Sequence, residues 1–205
     1  MHPLREKDRR GPVASGLDAL PRLQMTSHKI ASRPRRFACP KGELLRWQKS
    51  QRSSNVVWEG TIARGAGRLS ADSGAFTALP VTVASRFGEP EDKTSPEELI
   101  AAAHATCFTM ALGLVLAGEH TPPERLAVDA VITLEEVDGQ YTITSSELEV
   151  VGRVAGIDDE AFERAAQEAE QTCPVSRALA GRVDVRSHTR LEAPSEPVEA
   201  GRRPG

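Results

Sequence analysis

Residues 95–117, SPEELIAAAHATCFTMALGLVLA, decide how the rest of the chain must be arranged. Ser95 is a good N-cap, Pro96 suits a first helical position where no donor is needed, and Glu98 sits three residues after the cap, as a capping box requires. Gly118 is the expected stop. Between these signals Leu99, Ile100, Phe108, Met110, Leu112, Leu114, Val115 and Leu116 point in all directions, so the helix has no water-facing side and must be buried in protein or in lipid. An apolar run of about 18 residues can span a bilayer. His104, Thr106 and Thr109 interrupt this one, much of it is weakly hydrophobic alanine, and no Lys or Arg flanks it closely. A central helix wrapped by sheet is the expectation, with no membrane as partner.

Outward from the helix, the chain divides into two materials. Residues 1–55 hold 13 Lys/Arg against 4 Asp/Glu, net +9, whereas the remainder holds 13 against 25, net −12. The first 54 residues, with RRGP and RPRR, show neither helical period nor strand alternation beyond a hint of a helical turn at Gly42–Gln48, and read as a basic, disordered extension. Without interleaved aromatics a nucleic-acid role is not expected for it. It contains no apolar h-region for a secretory signal, so a cytoplasmic location is expected, although its Arg-rich composition leaves a transit peptide open and Met25 offers a later start. The fold is expected over residues 55–191, and the Pro- and Glu-rich residues 192–205 read as a flexible tail.

Strand signals precede the helix: Val56–Ala63, a glycine turn at Arg64-Gly65-Ala66-Gly67, Arg68–Ala71, and Pro80–Arg86. After it, Leu126, Val128, Ala130, Ile132 and Leu134 alternate as a half-buried strand, Asp138-Gly139 signals a hairpin, and Tyr141–Val151 returns. Asp158 and Asp159 cap an amphipathic helix running to about Gln171. Pro174–Leu179 is a short helix, closed by Gly181, and Val183–Leu191 a last strand. The order is that of an α+β domain, antiparallel sheet around buried helices.

Three cysteines, Cys39, Cys107 and Cys173, with no CxxC and no paired Cys/His spacing, argue against a structural zinc site and against a disulfide framework, and no metal is expected. On composition alone Cys107 is an inert buried thiol. Cys173, at a helix start before Pro174, is placed where exposed N–H groups favour a thiolate. Cys107, mid-helix, has no such help, so a nucleophilic role would need a cation from elsewhere, for which Arg64 on the glycine turn is a candidate. His104, one turn before Cys107, suggests a nucleophile and base pair, yet such pairs come from separate elements with an oxyanion hole, so it reads as a satisfied core or interface histidine. Cys39 reads as a spectator.

The runs TSPEELIAAAHATCFTMAL and TCPVSRAL, with VVWEGTIARGAGRLSADSG upstream, resemble the OsmC/Ohr family of thiol-dependent hydroperoxide reductases, the OsmC branch in particular. The resemblance covers about residues 55–191. It implies an intertwined homodimer with two long central helices enclosed by sheets, a cysteine-based peroxidase activity on organic hydroperoxides, and more weakly on hydrogen peroxide, in oxidative-stress defence, no cofactor, and a dithiol reductant, lipoyl-type among the candidates. On the family pattern Cys107 is the peroxidatic cysteine and Cys173 the resolving one, Arg64 the supporting arginine and Glu97 its glutamate. The apolar Phe108 and Met110 would favour an organic substrate. Glu97 precedes Cys107 by ten residues, about 15 Å along a continuous helix. Either the helix is broken between them or, as we expect, the carboxylate serving a given Cys107 comes from the other chain. A redox sensor or an apolar-ligand-binding protein on the same fold is the alternative function.

Overall fold

A computed structural model describes residues 49–88 and 92–193. The expectations for residues 1–48, including Cys39, Met25 and the turn at Gly42–Gln48, and for most of the C-terminal tail lie outside the described residues. Strands β1 (Ser54–Glu59), β2 (Ala66–Ala71) and β3 (Leu79–Val81) form one antiparallel sheet in the order β1-β2-β3. A short helix α1 (Ala84–Phe87) follows, then the long α2 (Pro96–Gly118). Strands β4 (Arg125–Val137) and β5 (Gln140–Arg153), helices α3 (Asp159–Thr172) and α4 (Pro174–Leu179), and β6 (Asp184–Leu191) complete the chain, with a second sheet ordered β4-β5-β6.

The third strand is shorter than the alternation of residues 80–86 suggests, and local hydrogen bonding explains why. Ser85 N–H donates to Thr82 Oγ1 at 3.0 Å while Thr82 N–H donates to Ser85 Oγ at 3.1 Å, a reciprocal cap that turns the chain into α1. The first strand likewise stops at Glu59, because Gly60 takes φ +87° and the chain turns through Thr61–Gly65. β5 and β6 also depart from an all-antiparallel sheet. They pair in parallel, from Ser145↔Asp184 to Gly152↔Leu191, and the α3–α4 crossover between them is what a parallel pair needs.

α2 begins as its sequence dictates, with Ser95 Oγ accepting Glu98 N–H at 3.1 Å and Pro96 at the first position. Its end does not rest on Gly118. His120 adopts the left-handed conformation (φ +64°), its N–H bonds Ala117 O at 3.2 Å, and Thr121 N–H bonds Leu116 O at 2.9 Å, a Schellman closure without glycine.

One face of α2 builds the core. Phe108, Leu112, Val115 and Leu116 pack with Leu148 and Val150 of β5 and with Phe162, Ala165, Ala166 and Ala169 of α3. The sheet register places Leu126–Gly152–Leu191 and Val128–Val150–Thr189 in rows on its inner side. The small side chains of α3 permit close approach, and the tip of the Phe162 ring abuts Gly152, where a Cβ would fall 2.3 Å from the ring's Cζ. Gly152→Ala is therefore expected to cost about 1–3 kcal/mol through overpacking, read as a lowered denaturant midpoint at unchanged slope.

The opposite face of α2 is left uncovered by the described residues. Ala103, Thr106, Met110, Leu114 and Ala117 form an exposed stripe at helical spacing. The helix is long and apolar enough to cross a membrane, but its other face carries the core just described.

Candidate active site

Cys107 sits three residues before the exposed Met110 and one before the fully buried Phe108, on the seam between the covered and uncovered faces of α2. Its thiol is half-buried and packs against the core. Phe108 points into that core and away from any substrate, so of the two apolar neighbours expected beside the thiol only Met110 is accessible.

Cys173 is brought to Cys107 by the joint between α3 and α4. It ends α3 and caps α4 at once: its N–H bonds Ala169 O at 2.8 Å, and its Sγ accepts the Ser176 N–H at 3.5 Å. Pro174 starts the new helix because it needs no donor. The two sulfurs are neighbours, and Cys107 feels the fact. Burial pushes the Cys107 thiol up from its ordinary value, the Val175 backbone N–H pulls it back, and the Cys173 thiol pushes it up further by hydrogen bonding and by charge. Among the described residues no cation contributes, so within one chain they leave Cys107 a protonated, poorly activated thiol.

His104 is fully buried between both cysteine-bearing elements and the sheet. Its Nδ1 lies 2.7 Å from Ser146 Oγ of β5 and its Nε2 lies 2.8 Å from Ser176 Oγ of α4. Burial lowers its pKa from the ordinary 6.5, which makes the ring neutral, one nitrogen donating and the other accepting. The expected satisfied core histidine is what stands here. Because the folded-state pKa lies below the unfolded one, this contribution to stability is complete above about pH 6.5 and is lost as pH falls through the folded value. Denaturation of wild type and His104→Gln at about pH 7.5 and about pH 5 should show the gap between them narrowing in acid, by at most about 1.4 kcal/mol per pH unit.

Glu97 is buried in the first turn of α2, and its carboxylate is held by an arginine that sequence reasoning missed. Arg86 of α1 donates from Nε (2.8 Å) and reaches with a terminal nitrogen (2.7 Å), both to Oε1. Glu97 Oε2 is buried with no hydrogen-bond partner among the described residues. The signal for Arg86 was present only as the TVAS cap, which ends a strand and turns the arginine toward α2. Its guanidinium also lies 5.8 Å from the Phe87 ring centroid, and Phe87 packs on Tyr141 at 4.8 Å.

Arg64 lies elsewhere, on the exposed turn between β1 and β2, its N–H bonding Thr61 O at 3.1 Å. The turn's shape is fixed by Gly65, where a Cβ would fall 2.3 Å from Glu59 O. Among the described residues no group of three His, Cys, Asp or Glu could hold a metal.

The order of cysteines, capped helix and crossover can be compared with known proteins. The profile described as OsmC-like protein matches residues 88–188. Peroxiredoxin OsmC of Escherichia coli (strain K12) is 43% identical over 122 residues, covering 60% of this chain and 85% of that one. The chain belongs to the OsmC-like family. The organic hydroperoxide resistance protein of Xanthomonas axonopodis pv. citri is 31% identical over 120 residues, 58% of this chain and 82% of its own. Solved structures share the OsmC fold at lower identity. The organic hydroperoxide resistance protein OhrB of Bacillus subtilis is 24% identical with a TM-score of 0.53, covering 67% of this chain and 98% of its own. One from Elizabethkingia anophelis is 23% identical with a TM-score of 0.56, covering 71% and 100%. In this OsmC-like chain, as in the sequence reading, both cysteines lie in the matched region.

Proposed function

We propose that this chain is a thiol-dependent peroxidase that reduces organic hydroperoxides. The observation that carries the reading is the juxtaposition of Cys107, on the accessible seam of α2, with the buried Cys173 at the α3–α4 joint. The names of its relatives, a peroxiredoxin and a hydroperoxide resistance protein, support it. The Cys107 thiolate attacks one peroxide oxygen, an alcohol leaves, and a sulfenic acid remains. That acid condenses with the Cys173 thiol to a disulfide, which an external dithiol reduces by exchange.

The activated state is completed by a second copy. α2 is continuous from Pro96 to Gly118, so Glu97 and Cys107 of one chain stand about 15 Å apart along it. A homodimer covering the exposed stripe of α2 would bring Glu97 of the second copy to this Cys107. Two further features support it: Val56 and Val57 of β1 are more than half exposed, and Glu97 Oε2 is buried and unpartnered beside Arg86. Arg64 would engage that oxygen, stabilise the Cys107 thiolate that the isolated chain leaves protonated, and orient the peroxide. The location that fits this chemistry is the cytoplasm, where a dithiol is available.

The test is consumption of cumene hydroperoxide by the purified protein with dihydrolipoamide. Sustained turnover is expected, and no consumption above the uncatalysed rate would sink the reading.

A further inference from the structure

His104 takes no part in the steps above, yet it is the best-satisfied buried polar side chain in the core. It joins three elements: α2, which carries Cys107; β5, through Ser146; and α4, through Ser176. All three side chains are at most 3% exposed. Neither ring nitrogen faces a sulfur, since both are taken up by hydroxyls. Ser176, however, is the fourth residue of the turn Cys173-Pro174-Val175-Ser176, and that turn serves both thiols. Its Ser176 N–H donates to Cys173 Sγ, and its Val175 N–H lowers the pKa of Cys107.

We propose that His104 is a positioning residue for thiol chemistry, clamping the Cys173–Ser176 turn to α2 so that Val175 N–H stays on Cys107 and Cys173 stays within reach of its sulfenic acid. The inference rests on the peroxidase reading for its second half only. Ser146 anchors the ring to the rigid centre of β5, and the ring then fixes the Ser176 hydroxyl; a buried hydrogen-bond pair of this kind is costly to leave half made. α4 is only six residues long and follows a proline joint, so the Ser176–His104 hydrogen bond adds a polar tie to α2 beside the packing of Cys173 and Val175 on the core. The resolving step is the one that needs this most. The Cys107 S–O bond breaks, the Cys107–Cys173 S–S bond forms, and the Cys173 proton leaves with the hydroxyl as water. Disulfide geometry tolerates little error, with Cα atoms within about 7 Å and a restricted dihedral.

Two variants and one reference test the clamp. Ser176→Ala removes only the hydroxyl, leaving the backbone N–H of residue 176 in place, and His104→Gln keeps an amide that can reach one hydroxyl. Gly152→Ala, which strains the core at Phe162, supplies a fold destabilised without touching the clamp. For each, the pH dependence of Cys107 alkylation is followed by peptide mass spectrometry. After one equivalent of cumene hydroperoxide, the split between dimedone-trapped sulfenic acid and Cys107–Cys173 disulfide is measured over time. The expected result is a Cys107 profile displaced to higher pH and disulfide closure slowed about tenfold or more in Ser176→Ala and His104→Gln, with both readouts at wild-type values in Gly152→Ala. Lowered melting temperature with unchanged profile and closure in the two clamp variants overturns the proposal, as does an equal displacement in Gly152→Ala. A wild type that forms neither sulfenic acid nor disulfide overturns the peroxidase reading, while the alkylation profile still decides whether the clamp exists.

Discussion

Cys107→Ser should consume cumene hydroperoxide at least about a thousandfold more slowly than wild type, because the hydroxyl that replaces the thiol is neither ionised near neutral pH nor soft enough to attack a peroxide oxygen. Cys173→Ser should behave differently. Its Cys107 is intact, so the first equivalent of peroxide is consumed in a burst. The sulfenic acid then has no partner thiol, and turnover depends on direct attack by the external dithiol on a half-buried sulfur. With excess peroxide the acid climbs to the sulfinic form, and activity decays irreversibly. Rapid-mixing kinetics with sulfenic-acid trapping separates the two variants. Equal burst amplitudes in Cys107→Ser and wild type would remove Cys107 from the chemistry. Full steady-state activity in Cys173→Ser would remove the disulfide.

How much of this site could be read from the sequence depended on whether the information was local. The Ser95-Pro96-x-Glu98 start of α2 and the Asp158 cap of α3 are written within four residues, and both stand as expected. So does the Cys173-Pro174 joint, whose two neighbouring helices are separated by one residue that serves as the cap of each. The alternation Leu126, Val128, Ala130, Ile132 predicts the inner face of β4, and the register agrees until a bulge at Thr133/Leu134 leaves Thr144 unpaired on β5. What the sequence hid was of two kinds. Cap exchange between Thr82 and Ser85 overrode a strand-like alternation, and with it came Arg86 as the Glu97 partner. The Ser146–His104–Ser176 bridge spans 42 and 72 residues of separation, and no local pattern encodes it. Parallel pairing of β6 is equally non-local, because alternation reads the same in either direction.

The uncovered face of α2 leads to the second large effect. Leu114→Glu should convert a dimer to monomers, raising the dissociation constant about a thousandfold or more. Met110 and Leu114 are 65% and 41% exposed in the single chain, beside Ala103 and Ala117 in one stripe, and a water-facing stripe of this composition is what a second copy would cover. Two-fold symmetry places the substitution in the interface twice, and each carboxylate taken from water without a partner costs several kcal/mol, against about 1.4 kcal/mol for each tenfold in affinity. Sedimentation velocity across a concentration series measures it. On the proposed arrangement activity should fall with dissociation, because a monomer would separate Cys107 from the Glu97 of the second copy. Mixing inactive chains isolates that last point. A Cys107→Ser chain and a Glu97→Gln chain, denatured and refolded together, form heterodimers in which the surviving Cys107 meets a native carboxylate only if the carboxylate comes from the opposite chain. Random pairing then restores about a quarter of wild-type sites, half the dimers being mixed and one site in each being intact. A mixture as inactive as its components would place Glu97 and Cys107 of one chain in the same site, and a Leu114→Glu protein that remains dimeric would move the interface off this face of α2.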